Sequence, residues 1–252
     1  MKNLNKQTAL VGAVLLLSIG AGFLRRMLYA AALDEKGLLV RNHPIAIALW
    51  ALVAAGSLLI LWATRHCGGK SSYEDNFGPS TLAVLGHSFM ACAVLMMTLQ
   101  VTFPLPGPLG LIWKVLGFAS AAGLVWAGLY RKLGKLPFFG IYAALCLFLL
   151  LYLVSCYQLW SSNPQLQDYV FELLALVSLV LYCYQLTAFA AGSGNRKALL
   201  IFGLLSVLLC GPANFGAQVP ALYAGGLLFA ATNLCHLDPP PRNEEDNTHE
   251  SA

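Results

Sequence analysis

The chain has 252 residues, of which 58% are hydrophobic and only 10% charged, and it carries a net charge of +4. A soluble domain averages about 25% charged residues, so this composition excludes a soluble globular protein with an ordinary surface. The positive charge sits in short loops between apolar runs, where it orients helices, and it implies no nucleic-acid partner.

The elements follow from apolar runs long enough for a hydrocarbon core of about 30 Å, which needs about 20 residues per helix. A short basic N-terminus, MKNLNKQ, precedes the apolar run Thr8–Leu24. This resembles a signal peptide with small residues at Ala30–Ala32, but Arg25 and Arg26 stand where such peptides seldom carry charge. The reading adopted is an uncleaved first helix over about 8–33. A second helix over about 44–64 opens at Pro44, proline being favoured at a helix start, and ends at RHCGGK. After the polar loop SSYEDNFGPS a third runs over about 79–103, and the Pro/Gly turn PLPGPLG stops it. The fourth spans about 109–130, the fifth 137–160 and the sixth 165–191. The seventh is expected to be short, 197–210, breaking at GPAN, and the eighth covers 215–234. The prolines and charges of residues 237–252 read as a disordered tail. The expected fold is therefore all-α, a bundle of about eight transmembrane helices in one domain over residues 1–236.

Threading follows from charge. With the N-terminus inside, Lys2, Lys6, Arg65, Lys70, Arg131, Lys132, Lys135, Arg196, Lys197 and Arg242 all fall on the cytoplasmic side. The turns at PLPGPLG, SSNPQ and GPAN carry no Lys or Arg and fall outside. Only the first hairpin, with Arg25, Arg26, Lys36 and Arg41, departs from the positive-inside rule. Both termini are then cytoplasmic, and the compact loops suit a bacterial plasma membrane. The segment RRMLYAAALDEKGLL resembles the first hairpin of bacterial polytopic membrane proteins, a likeness confined to that segment that implies no activity.

An ionisable side chain within the bilayer costs about 2.5–3.5 kcal/mol on insertion scales and calls for a partner, water or a route to the surface. The threading gathers such residues in the outer half: Arg25, Arg26, Lys114, Asp168 and Glu172, with Gln100, Asn214 and Gln218 at similar depth. Asp34, Glu35, Lys36, Arg41 and His43 lie just beyond. Two readings compete. In one, an outward-facing pocket binds a small anionic or zwitterionic solute, an arginine holding its carboxylate or phosphate bidentately. Glu172 then meets an amine or carries a proton. In the other, arginine and lysine snorkel and one Arg–Glu172 pair pins helix one to helix six. His87, several residues into helix three, is a weak candidate for a proton relay and more simply a hydrogen-bonding partner of a neighbouring helix.

Other chemistry is sparse. The seven cysteines show no C-x-x-C and lie mostly in apolar runs, as small hydrophobes. His66-Cys67 and Cys235-His236 carry zinc-type ligands, but nothing in their spacing requires them to meet, and no metal or cofactor is expected. H-E-x-x-H, G-x-S-x-G and P-loop motifs are absent. Asp168-x-x-x-Glu172 without a second acidic cluster gives weak support to a lipid-modifying enzyme. Ala119, Gly123 and Ala127, and Ala221 with Gly225, read as close-packing seams. The five tryptophans read mostly as interfacial anchors. The functional expectation is a multi-pass membrane protein: a small-solute carrier or sensor with an outward polar pocket, or an accessory subunit that supports a membrane-protein partner.

Overall fold

The computed structural model describes residues 2–32, 43–65, 67, 72–74, 76–100, 108–160, 166–217, 219–235 and 237, except the side chains of 2–6, 160 and 166–168. Eight helices follow one another: α1 Lys2–Ala31, α2 Pro44–Ala63, α3 Thr81–Gln100, α4 Pro108–Lys132, α5 Phe139–Trp160, α6 Leu166–Ala190, α7 Arg196–Asn214 and α8 Pro220–Cys235. Seven are long and apolar enough to cross a membrane; α8, with 16 residues, is shorter. Among the described residues there is no strand, and the protein is a polytopic helical membrane bundle.

Local chemistry sets the helix ends. Pro44 occupies the first turn of α2, and the His43 ring accepts from the Ile45 amide as its N-cap. The Asn195 carboxamide oxygen does the same for Ala198 at the start of α7. Beyond α4 and α6 the chain turns through left-handed glycines, Gly134 (φ 65°) and Gly192 (φ 77°).

Helices α3 to α8 form a closed ring, because α8 returns to pack on α3. Helices α1 and α2 lie outside that ring against α7, which also touches α6 and α8. The ring is filled with aromatic side chains: Trp113 stacks on Phe148 at 4.9 Å, and Phe229 meets His87 at 5.0 Å and Tyr182 at 5.7 Å. Two glycines let α8 approach α3. A methyl group on Gly86 would fall 3.0 Å from the Leu228 carbonyl oxygen, and one on Gly225 2.8 Å from the Ala93 methyl.

Several expectations need correction. Helix α7 does not stop before GPAN but runs through it to Asn214 with Pro212 inside. Proline removes one intrahelical bond, yet transmembrane helices tolerate it where neighbouring polar groups assist. Here α1 lies against that turn: Ser18 Oγ donates to the Val207 carbonyl (2.6 Å), and a methyl on Gly211 would strike the Ser18 main chain. In consequence α8 begins at Pro220 rather than 215 and is only about 24 Å long at 1.5 Å per residue. The predicted α4 seam holds in part. Ala127 is buried and Gly123 packs against Ile141 of α5, whereas Ala119 is exposed, and the packed face also runs through Gly117, Ala121, Leu124, Gly128 and Arg131. Trp113 is not an interfacial anchor but wholly buried, whereas Trp50, Trp62 and Trp126 are exposed.

Candidate functional site

Two faces of the bundle carry buried polar groups. The N-terminal face is the end where α1 begins; the far face is the end where α1 finishes. Each holds arginine that water barely touches.

At the far face α1 brings Arg25 toward α6. Its Nη2 lies 3.9 Å from Glu172 Oε1, with the two side chains 2% and 6% exposed. The same nitrogen donates to the Tyr29 hydroxyl one turn on (3.2 Å). The guanidinium also lies over the Phe171 ring (5.0 Å) and near the Tyr29 ring (5.5 Å), so aromatic faces supply part of its solvation. Trp50 of α2 closes the outside of Phe171, their rings 4.8 Å apart. Glu172 feels Tyr152 and Cys156 of α5 and Tyr223 of α8 electrostatically, so groups from four helices converge here.

The other expected members of this site behave differently. Arg26 and Lys114 are exposed on α1 and α4, and neither joins an ion pair with Glu172 among the described residues. The Asp168 side chain, Asp34, Glu35, Lys36, Arg41 and Gln218 lie outside the described residues. Gln100 is exposed at the end of α3, and Asn214 is half-buried at the end of α7. Among the described side chains of the proposed ligand residues, Arg25 and Glu172 are drawn together.

The N-terminal face carries a cluster that sequence reasoning assigned to ordinary loop charge. Arg131, at the end of α4, is 1% exposed and donates to the Gly78 carbonyl (2.6 Å) beneath the Phe77 ring, 4.7 Å from its centroid. Arg196, in the first turn of α7, is 2% exposed and donates to Asn76 Oδ1 (2.7 Å). Reorienting the Gln7 carboxamide lets it accept from Arg196 Nη2 and donate to the Leu237 carbonyl, each at 3.0 Å. Leu237, fully buried, pairs its backbone with Phe77. The described residues of 72–80 between α2 and α3 thereby fold down as a plug, bonded to α4, α7 and the segment after α8, with Gln7 of α1 bridging Arg196 and Leu237 beside it.

His87 belongs to this end. Its Nδ1 lies 2.7 Å from the Ala83 carbonyl, which accepts only, so Nδ1 carries the proton and donates. Nε2 then accepts from the Tyr142 hydroxyl at 3.0 Å. Tyr142 in turn hydrogen-bonds Tyr73 in the plug, where burial holds the Tyr73 phenol above its ordinary range. Above His87 stand Met90, Val94 and Met97, all buried. His87 thus ties α3 to α5 and, through Tyr142, to the plug.

No metal-binding group of three His, Cys, Asp or Glu occurs among the described residues, and His66 and His236 fall outside them. The seven cysteines are free thiols. No protein-family model, curated protein or solved structure matches the chain.

Proposed function

We propose that this protein is a structural or accessory membrane subunit, in which the Arg25–Glu172 pair is a clamp holding α1 to α6 rather than a receptor for solute. One observation carries the reading: the two charges lie 3.9 Å apart with side chains 2% and 6% exposed. A solute site needs room between its charged groups. Here the two groups already meet, and the Phe171 and Tyr29 rings lie against the guanidinium, 5.0 and 5.5 Å from it. The threading proposed with it keeps both termini cytoplasmic in a bacterial plasma membrane. Arg65, Arg131, Lys132, Lys135, Arg196 and Lys197 at the N-terminal face support that orientation.

A second reading, a carrier or sensor of a small anion or zwitterion, is favoured by the grouping of Tyr152, Cys156 and Tyr223 around Glu172. Opening the clamp would uncover a polar patch toward the far face. The two readings separate on Cys156, a buried free thiol beside that patch. In a variant retaining only this cysteine, a charged membrane-impermeant thiosulfonate added from the far side is expected to leave it unmodified. Rapid labelling, slowed by a small zwitterion, replaces the accessory reading with the carrier.

A further inference from the structure

On the lipid-facing side of the bundle, α1, α7 and α8 enclose a groove of about 350 Å³. Ser18, Ile19 and Phe23 form one wall, Gly211 and Asn214 the floor, and Ala224 part of the other wall. Phe23 is 61% exposed and Ala224 is exposed, so the groove opens to the bilayer. Its form has a local cause. Gly211 contributes no side chain where α1 and α7 touch, and Ala224 contributes only a methyl. From Ser18 to Arg26 the groove follows eight residues of α1, about 12 Å. Arg26 closes its far-face end.

Three properties define an occupant. The lining is almost wholly apolar, which suits hydrocarbon. An α-helix is about 10–12 Å across with its side chains, far wider than a gap of this volume and length, whereas a single acyl chain fits. At headgroup depth stands Arg26, an exposed guanidinium suited to bidentate contact with phosphate. Beside it, Asn214 Oδ1 is buried and meets no hydrogen-bond donor among the described residues, and an orphaned buried acceptor normally has an explanation.

We infer that this groove is a binding site for one glycerophospholipid of the far-face leaflet, with an acyl chain between α1 and α8, its phosphate on Arg26, and a headgroup hydroxyl or ammonium donating to Asn214. The site is separate from the Arg25–Glu172 clamp: Arg26 points about 100° around α1 from Arg25 and serves the lipid, while Arg25 serves the fold. The inference does not rest on the accessory function proposed above.

The test uses the full chain in a mild detergent, titrated with phosphatidylglycerol and read by native mass spectrometry for the number of lipids bound. One saturable site is expected. Phosphatidylcholine, which has the phosphate but no headgroup donor, is expected to bind more weakly. Arg26→Gln is expected to weaken phosphatidylglycerol roughly fivefold, the usual effect of one basic residue at a membrane surface. Asn214→Leu is expected to erase the preference over phosphatidylcholine. Ala224→Trp fills the groove and is expected to abolish the site with Arg26 intact; Ala224→Leu gives a graded version should the larger residue disturb folding. Unsaturable binding, or Arg26→Gln and Ala224→Leu binding like the parent protein, overturns the proposal. So does displacement by millimolar inorganic phosphate, which would make this an anion site without a lipid.

Discussion

The two buried arginine clusters differ in what they tie together. At the far face a cation meets an anion: Arg25 and Glu172 neutralise one another at 3.9 Å between aromatic rings. At the N-terminal face, the described partners of Arg131 and Arg196 are a carbonyl, carboxamides and an aromatic face. The first cluster joins two helices directly. The second holds down a connecting segment, since Gly78, Asn76 and Phe77 all lie in residues 72–80. A pair that joins two helices is sensitive to loss of either member; contacts that secure a connecting segment are expected to fail locally, at the segment they hold.

The sharpest way to break the comparison is Glu172→Leu, which takes the Glu172 carboxylate away from the buried Arg25. Removing one member of a buried pair typically costs 3–5 kcal/mol, and a fall of that order is expected in the stability measured by reversible unfolding in detergent micelles. Adding Arg25→Met should then recover most of the loss, because an apolar pair often replaces a buried ion pair at little cost. A double variant as unstable as the single one would mean that Glu172 stabilises through Tyr152, Cys156 or Tyr223 instead of through Arg25.

Glu172→Gln separates function from fold at the same position. A clamp predicts reduced thermal stability with unchanged activity of whatever assembly the chain supports. Altered solute response or flux in proteoliposomes at unchanged stability would count for the carrier.

At the other end, Asn76→Ala removes one acceptor from Arg196. Hydrogen bonds to charged groups are worth about 1.5–3 kcal/mol, and the cost should appear mainly as loosening of the plug. Limited proteolysis from the N-terminal side is expected to cut within 72–80 faster than in the parent, with the α3–α8 ring intact. Global unfolding at the lower temperature without preferential cleavage would show that the plug and the ring fold as one unit.

How far each cluster was legible in the sequence follows from where its arginine stands. Arg25 interrupts an apolar run, so its cost is visible and a partner on α6 was foreseeable. Arg131 and Arg196 flank turns together with Lys132, Lys135 and Lys197, where a basic residue ordinarily faces water and sets topology. Nothing local distinguishes a buried arginine from its exposed neighbour there. One signal did exist: SSYEDNFGPS is long for a helical hairpin and contains two aromatic residues, more than a solvated loop requires. Helix number and order were readable because a 20-residue apolar run announces itself. The α7–α8 boundary was not, because GPAN reads as a turn locally and becomes helical only with α1 packed against Gly211. The exposure of Ala119 on α4 has the same cause: small residues recur on more than one face of that helix, and only the partner helices choose between them.

The smallest effect concerns Tyr73, which links the plug to Tyr142 and His87. Tyr73→Phe deletes one hydroxyl and is expected to cost about 1 kcal/mol at neutral pH, the usual net value of a hydrogen bond. Its pH signature is more telling. Burial raises the Tyr73 pKa from the ordinary value of 10.0, so the folded state disfavours the phenolate that the unfolded chain readily forms. The stability tied to the neutral phenol is whole below the unfolded pKa and falls as pH climbs above about 10. Tyr73→Phe should therefore lose less stability than the parent between neutral and strongly alkaline solution, narrowing or reversing its deficit. Equal losses in both proteins would place the alkaline sensitivity in other groups and leave Tyr73 as a packing residue of the plug.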